Sequence, residues 1–284
     1  MQHLQQPQEK TMKLFITLSL SFIAQMMLIT STNAANLPTK PKSIIVTLPP
    51  LSGLTTMLLP EVKNQCLLSA GADPHHFQPS PKQVDLINQG HLLIRASHDD
   101  QGWPIQTQPE HTLDLSPTQN HAWLQFSQVK HMLPILAQAL INNFPQYQQQ
   151  IQTRLKQKLK DITQLETTWD KQLQVLKKHG VFMQHPAWQG LFDNKNIPVW
   201  AVLESEQHGH EQGPRHLEEA LYTLKKHPSA ILIGSTRHSN RSLEWLSRHH
   251  TPKKEIILLD ELGTCNQAWD VLMRHNLDVL AGKL

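Results

Sequence analysis

The chain has 284 residues, a formal net charge of +3, 18 histidines and 2 cysteines. This small charge and the scattered basic residues exclude a nucleic-acid groove, because such grooves concentrate positive charge on one face. Two cysteines are too few for a metal knuckle or a disulfide framework. The length exceeds that of a usual single domain and predicts two lobes, each with its own core.

The first residues predict an export signal. Lys10 and Lys13 precede an apolar stretch at 14–30, and small residues follow it at 31–35. A charged start, an apolar core and a small-residue cleavage region form, in that order, a signal peptide. We therefore expect residues 1–34 to be removed and the mature protein to be periplasmic.

The apolar stretch is not expected to be a permanent membrane anchor. Gln25 interrupts it, and at about 17 residues it lies at the lower limit for a membrane span. No cysteine is present at the cleavage region, so a lipid cannot be attached there through a new N-terminal cysteine. Met12 is an alternative start of the chain, because the residues before it are polar and resemble neither a signal nor a domain.

From residue 42 onward, short β-branched or apolar runs alternate with helix-like segments. This alternation is typical of strand–helix–strand units with a mainly parallel sheet. The predicted strands of the first half are 43–47, 65–69, 92–96 and 111–115, with helices at 52–59 and 80–89. Those of the second half are 181–184, 199–203, 230–234 and 255–259, with helices at 187–194, 214–226 and 240–250. We therefore predict an α/β fold with two mainly parallel four-stranded sheets.

A glycine-free segment between these halves, residues 127–178, is rich in Gln, Lys and Leu at helical spacing. Pro145 divides it, and the piece after Pro145 would extend roughly 50 Å at about 1.5 Å per residue. We interpret it as a long helix that links the lobes. A coiled coil is the alternative, because Leu155, Ile162 and Trp169 recur at heptad-like spacing.

The predicted domains follow from this order of elements. They are a signal peptide at 1–34, an N-terminal α/β lobe at 35–126, the linking helix region at 127–178 and a C-terminal α/β lobe at 179–284. Cys66 and Cys265 fall in different lobes on this map. We therefore expect them to be unpaired, although export would permit a disulfide.

Polar residues follow the predicted strands at the sheet edge where open α/β folds bind ligands. The candidates in chain order are His75, His121, His185 and Asp260. Three neutral imidazoles and one carboxylate are a favoured tetrahedral set for Zn²⁺. Hard ions such as Ca²⁺ and Mg²⁺ prefer several oxygens, and Cu(I) prefers sulfur. The sequence therefore predicts a Zn²⁺ site in the cleft between the lobes.

The runs that contain these residues resemble the periplasmic zinc- and manganese-binding components of ABC importers, and among them the zinc-specific ZnuA group. The most specific runs are GADPH at 71–75, PSP at 79–81, HAWL at 121–124 and DELG at 260–263. The resemblance extends from about Ser43 to the C-terminus. Carried over by position, the metal ligands of the family fall on the same four residues, with His76 as an alternative to His75.

The resemblance implies high-affinity zinc capture in the periplasm and delivery to a membrane permease driven by a separate ATPase. It also implies that the lobes move little about the linking helix. Manganese members typically have a carboxylate as the third ligand, so His185 favours zinc. We expect a monomer without enzymatic activity, whose partners are the zinc ion and the permease of an ABC importer.

The chain departs from the pattern of the family beside two of the predicted ligands. Pro186 follows His185 where an acidic residue is usual, and Glu261 follows Asp260 where a proline is usual. The groups that support these ligands are therefore expected to differ from those of other members.

The long His-rich loop that many zinc members have before the second ligand is missing from this chain. Two histidines elsewhere, His208 and His210, are flanked by carboxylates. They are candidate auxiliary zinc ligands, and a solvated loop without a metal role is the alternative.

Two other functions remain open. A zinc hydrolase would need a general base beside the metal, and Glu204 and Glu261 are the candidates that the sequence offers. It has no His-Glu-x-x-His motif, nucleophile elbow or phosphate loop, which disfavours an enzyme. A periplasmic zinc store or an adhesin with the same fold is the second alternative.

Overall fold

Two parallel β-sheets, one in each half of the chain, organise the computed structural model, which describes residues 42–69, 72, 74, 77–105, 112–116, 118–204 and 213–284. The first sheet has the order β2-β1-β3-β4 and contains β1 (Ile44–Val46), β2 (Asn64–Cys66), β3 (Leu92–Arg95) and β4 (Thr112–Asp114). The second has the order β6-β5-β7-β8 and contains β5 (Val181–Met183), β6 (Val199–Val202), β7 (Ile231–Ser235) and β8 (Ile256–Leu259). All neighbouring strands are parallel. The predicted fold is confirmed.

Helices flank the two sheets. In chain order they are α1 (Pro49–Leu58), α2 (Pro81–Gln89), α3 (Phe126–Asn143), α4 (Gln148–His179), α5 (Gln189–Asn194), α6 (Pro214–Lys226), α7 (Arg241–His249) and α8 (Trp269–Ala281). The start of α2 is fixed by a capping box, in which Ser80 and Gln83 each bond the backbone amide of the other. Pro81 follows at the first helical position, where a backbone N–H would have no partner within the helix, so the lack of an N–H in proline does not weaken the helix.

The long linking helix is α4, which has 32 residues. Its buried face includes Ile162, Trp169 and Leu176, and it packs against α3 and α8. The Trp169 ring is fully buried, and its Nε1 donates to the Met273 carbonyl at 3.2 Å. The apolar residues at heptad-like spacing therefore pack against other helices of the same chain.

The linking helix ends at a glycine that the local structure requires. Gly180 has φ +70 and ψ 173, a combination that is open almost only to glycine. An added Cβ would lie 2.1 Å from Nε1 of Trp200, whose indole donates to the His179 carbonyl. The sharp turn from α4 into β5 therefore requires a glycine at position 180.

We expect Gly180→Ala to lower the free energy of unfolding by about 1–3 kcal/mol, because it adds backbone strain and displaces the Trp200 ring. Urea unfolding measures the loss. Gly102→Ala is the matched control, since nothing lies within 4 Å of a Cβ built there. Equal stability of the two variants would contradict the strained turn.

Cys66 and Cys265 form a disulfide with a Cα–Cα distance of 5.9 Å, so the expectation that they are unpaired is wrong. The prediction assigned Cys265 to the C-terminal lobe, but the chain after β8 returns to the first half of the protein. Asn266 exchanges hydrogen bonds with Asn64 at 3.1 Å in each direction, and its amide donates to Ser52. This docking places the two cysteines side by side.

The last helix continues this return to the first half. α8 packs against α1 and α4, and Trp269 at its start is fully buried. The indole of Trp269 donates to the Trp123 carbonyl at 2.6 Å. The predicted boundary at residue 179 stays a prediction, and the segment after it contacts both halves.

Among the helices that the structure describes, none is both long and apolar enough to cross a membrane. The predicted signal peptide, residues 1–34, lies outside the described residues. Its removal stays a prediction.

Candidate metal centre

The loops after the strands of both sheets bring histidines and carboxylates together in pairs. Each side chain follows the carboxyl end of a different strand, the edge at which open α/β sheets bind ligands. After β3, β4, β5, β6, β7 and β8 these residues are, in order, Asp99, His121, His185, Glu204, His238 and Glu261.

His121 and His185 come from different sheets and meet directly. Their Nε2 atoms lie 3.4 Å apart, and both residues are buried. Two nitrogens bound to one tetrahedral zinc at about 2.0–2.1 Å are separated by about 3.3–3.4 Å. The structure therefore brings together two of the four predicted ligands at the separation that a shared ion requires.

A carboxylate lies behind each of these rings. Oδ1 of Asp99 is 3.8 Å from Nδ1 of His121 and accepts the His121 backbone amide at 3.0 Å. Oε2 of Glu204 is 3.7 Å from Nδ1 of His185. Carboxylates in this position orient the imidazole of metal-bound histidines and raise their basicity. Each imidazole therefore has a carboxylate beside Nδ1, the nitrogen opposite the one that faces the other histidine.

The conformation of His121 is itself constrained. It has φ +48, which is uncommon for a residue with a side chain, at the start of the turn Ala122–Leu124. The indole of Trp123 in that turn donates to the Glu261 carbonyl at 2.8 Å. This bond ties the loop after β4 to the loop after β8.

His238 belongs to the same cluster, although it was not among the residues predicted from the sequence. Its ring stacks on that of His185 with centroids 4.3 Å apart, and its Nε2 is 3.4 Å from Oε1 of Glu261. One ligand atom from each of His185, Glu204 and His238 lies within 4.8 Å of the others. Its position just after a predicted strand was a signal that could have identified it.

The loop that presents His238 is organised by Ser235. The Ser235 hydroxyl accepts the backbone amides of Arg237 and His238 at 2.8 and 3.0 Å and donates to Oε1 of Glu261. Asn240 closes the loop by accepting the Ser235 amide at 2.9 Å. His238 and Glu261 are therefore positioned by one shared hydroxyl.

Glu261 is a carboxylate almost without contact with water, with an exposed fraction of 2%. Burial raises its pKa to about 7, and the hydrogen bond from Ser235 only partly opposes that effect. Its Oε2 has no hydrogen-bond partner among the described residues. Because a buried carboxylate is costly without a positive partner, the position suits a bound cation.

The carboxylate of Asp260 is directed elsewhere. Arg237 binds both of its oxygens, at 3.0 and 3.1 Å, and the amides of Leu262 and Gly263 donate to Oδ1. Burial alone would raise the pKa of Asp260, but the bonds from Arg237 and these amides lower it. The structure thus places a different carboxylate, that of Glu261, against a histidine, and a metal-binding role for Asp260 stays a prediction.

A cavity of about 10 Å³ lies among these groups and is lined by His121, His238, Glu261, Asp99 and Trp123, with Leu48, Pro74 and Leu262 completing the wall. A cavity of this size is about large enough for one water molecule. His121 and His185 also line a cavity of about 610 Å³ that includes Phe77, His98 and Trp103. Of the three clustered histidines, His121 lines both cavities, His238 the smaller one and His185 the larger one.

Three predicted residues, His75, His208 and His210, lie outside the described residues, as does the alternative ligand His76. Pro74, immediately before His75, lines both cavities and accepts the Trp103 indole through its carbonyl at 2.9 Å. The chain therefore passes the site at that point. The roles of the three histidines stay predictions.

Comparison with known proteins gives a consistent family. A family model described as the periplasmic zinc-uptake complex component A, ZnuA, matches residues 44–283. A putative metal-binding protein of Thermotoga maritima is 26% identical over 255 residues, 84% of this chain and 91% of the relative. An uncharacterised protein of Rickettsia prowazekii is 24% identical over 251 residues, 82% of this chain and 76% of the relative.

Solved structures share the fold at low sequence identity. A crystal structure of ZnuA has a TM-score of 0.72 at 19% identity, covering 85% of this chain and 99% of that chain. A manganese-bound periplasmic metal-binding protein from Candidatus Liberibacter asiaticus has a TM-score of 0.72 at 11% identity, covering 86% and 100%. A mutant laminin-binding adhesin from Streptococcus agalactiae has a TM-score of 0.73 at 17% identity, covering 86% and 99%.

Proposed function

Because the chain belongs to the periplasmic zinc-uptake component A family of metal-binding solute-binding proteins, which are not enzymes, we propose that it captures zinc and delivers it to an ABC-type importer. The observation that carries the proposal is the pair of Nε2 atoms of His121 and His185, 3.4 Å apart, with a carboxylate behind each ring. Family membership supports the periplasm as its place of action.

Zinc is the metal that the donor atoms favour. Similar structures hold manganese or cadmium, so the fold alone does not select the ion. Imidazole nitrogens suit zinc, whereas manganese prefers carboxylate oxygens. The donors that meet here are imidazoles, with His75 as a further proposed ligand. His208 and His210 are proposed to bind additional zinc weakly.

We expect the purified chain without residues 1–34 to bind one tight zinc ion and to prefer it over manganese. Metal analysis gives the stoichiometry, and titration against a chromogenic chelator gives the affinity. A parallel manganese titration measures the preference. A chain that binds no zinc, or binds manganese more tightly, would contradict the assignment.

A zinc store or an adhesin with the same fold is the second candidate, and the similarity to the laminin-binding adhesin motivates it. The two functions differ in what happens to the ion after capture. Deletion of the protein should lower uptake of radioactive zinc from scarce medium if it feeds an importer. Unchanged uptake, with zinc binding intact, would favour the store or adhesin.

A further inference from the structure

We propose that His238 is a ligand of the same metal ion, held in place by Glu261, and that it takes the role that the sequence resemblance gives to Asp260. This inference rests on the proposed zinc function and names a determinant of its specificity. It concerns a residue that lies three positions beyond the end of β7.

The first support is the position of the ring. The imidazole of His238 is parallel to that of His185, with an interplanar angle of 18° and centroids 4.3 Å apart. Its side chain is only 6% exposed. It also lines the cavity of about 10 Å³ together with His121 and Glu261. The His238 ring therefore lies against one of the two paired histidines, His185, and shares a small cavity with the other, His121.

The second support is the orientation of the ring. Nε2 of His238 lies 3.4 Å from Oε1 of Glu261, so donation to this carboxylate would leave Nδ1 as the ligand atom. At the other two rings the nitrogens are exchanged, because Asp99 and Glu204 lie 3.8 and 3.7 Å from Nδ1 of His121 and His185 and leave Nε2 for the ion. Three imidazoles thus each have a carboxylate, which is the pairing that metal-binding histidines use. Glu261 is the positioning residue in this scheme.

The third support is that Asp260 already has a cationic partner. Two nitrogens of Arg237 bind its two oxygens, and Arg237 also donates to the Gly263 carbonyl at 2.7 Å. A bidentate bond of this kind is charge-assisted and among the stronger hydrogen bonds in proteins. Asp260 could bind the ion only by giving up part of that arrangement, whereas His238 already lies against His185.

A site in which His238 replaces Asp260 as a ligand has a different chemistry. A carboxylate ligand would add a hard oxygen, but His238 adds another nitrogen, which shifts the preference further from manganese toward zinc. The negative charge that balances the dication is then supplied by Asp99, Glu204 and Glu261 from behind the rings. This chain would discriminate against manganese more strongly than a site with a carboxylate ligand.

The test compares His238→Ala and His238→Gln with Asp260→Asn in the full mature protein. Zinc affinity is measured by chelator competition, and Co²⁺ is used as a probe whose visible absorption reports the number and type of ligands. We expect both His238 variants to weaken zinc binding by more than about 100-fold, beyond the loss typical of supporting groups. We also expect a changed Co²⁺ spectrum. Asp260→Asn should change the affinity by less than about tenfold and leave the spectrum unaltered.

Glu261→Gln keeps the size of the side chain and separates positioning from ligation. It should weaken zinc binding by about 10- to 100-fold while the Co²⁺ spectrum keeps its ligand signature. Melting curves of the metal-free variants establish that each one folds, and His238→Gln serves if the alanine variant does not.

His121→Ala provides the reference that separates the two levels of inference. If it loses zinc but the His238 variants bind within tenfold of wild type with an unchanged spectrum, the assignment of His238 is overturned. The same holds if Asp260→Asn shows the larger loss. If His121→Ala binds zinc as well as wild type, the proposed function fails, independently of His238.

Discussion

Replacing His121 or His185 by alanine is expected to weaken zinc binding by more than about 100-fold, beyond the 10- to 100-fold typical of supporting groups. Each substitution removes one of two nitrogens that stand 3.4 Å apart. Each also leaves a carboxylate, that of Asp99 or Glu204, without the imidazole that would link it to the ion. Chelator competition with the purified variants measures the loss.

His131→Ala is the matched control, because His131 is exposed on α3. It should bind zinc as wild type does. A second measurement is the melting temperature, since a ligand that binds only the folded state stabilises it by about 2.7 kcal/mol at 100 times its Kd. Zinc should raise the melting temperature of wild type and the control but not of the two variants. Variants that keep a tight ion would show that the pair is not the centre of the site.

Local information in the sequence was enough to place these two histidines at the binding edge of the sheets. Short strand-like runs that end at Met183 and Asp114 correspond to β5 and β4, and a polar residue after the carboxyl end of such a strand lies at the binding edge of the sheet. All eight predicted strands are present, and their ends agree within one residue, except that β2 ends three residues before its predicted end. The positions of the strands and of the candidate ligands therefore follow from the same sequence pattern.

His238 was missed because its role depends on strand order. β7 lies between β5 and β8, so the loop after it is next to the loops that contain His185 and Glu261. Chain order separates these loops by more than twenty residues on each side, and no periodicity in the sequence reports which strands are neighbours. A histidine after a strand is therefore ambiguous until the sheet is assembled.

Asp260 illustrates the same limit for a charged group. Its bidentate partner Arg237 comes from the loop after the neighbouring strand, and the salt bridge forms only because β7 and β8 pair in parallel. The sequence can show that a carboxylate follows β8, but it cannot show which cation the carboxylate meets. The resemblance to the family suggests Asp260 as a metal ligand. In this chain, however, Arg237 would compete with a metal ion for the Asp260 carboxylate.

The disulfide leads to the second large effect. Cys66 ends β2 and Cys265 lies between β8 and α8, so the bond closes a loop with a sequence separation of 199 residues. Cross-links that close long loops restrict the unfolded chain strongly, and loss of a native disulfide typically costs about 2–5 kcal/mol. We expect the double variant Cys66→Ser/Cys265→Ser to lose stability in this range.

Urea unfolding of the metal-free protein measures this loss without a contribution from zinc. The hydrogen bonds of Asn266 with Asn64 and Ser52 remain in the double variant, so the last segment should still dock in its native position. The double variant should therefore keep the native structure but have a smaller free energy of unfolding. Adding a reductant to wild type should lower its unfolding midpoint toward that of the variant and leave the variant unchanged. Equal midpoints for oxidised wild type and the double variant would mean that the cross-link adds no stability to this fold.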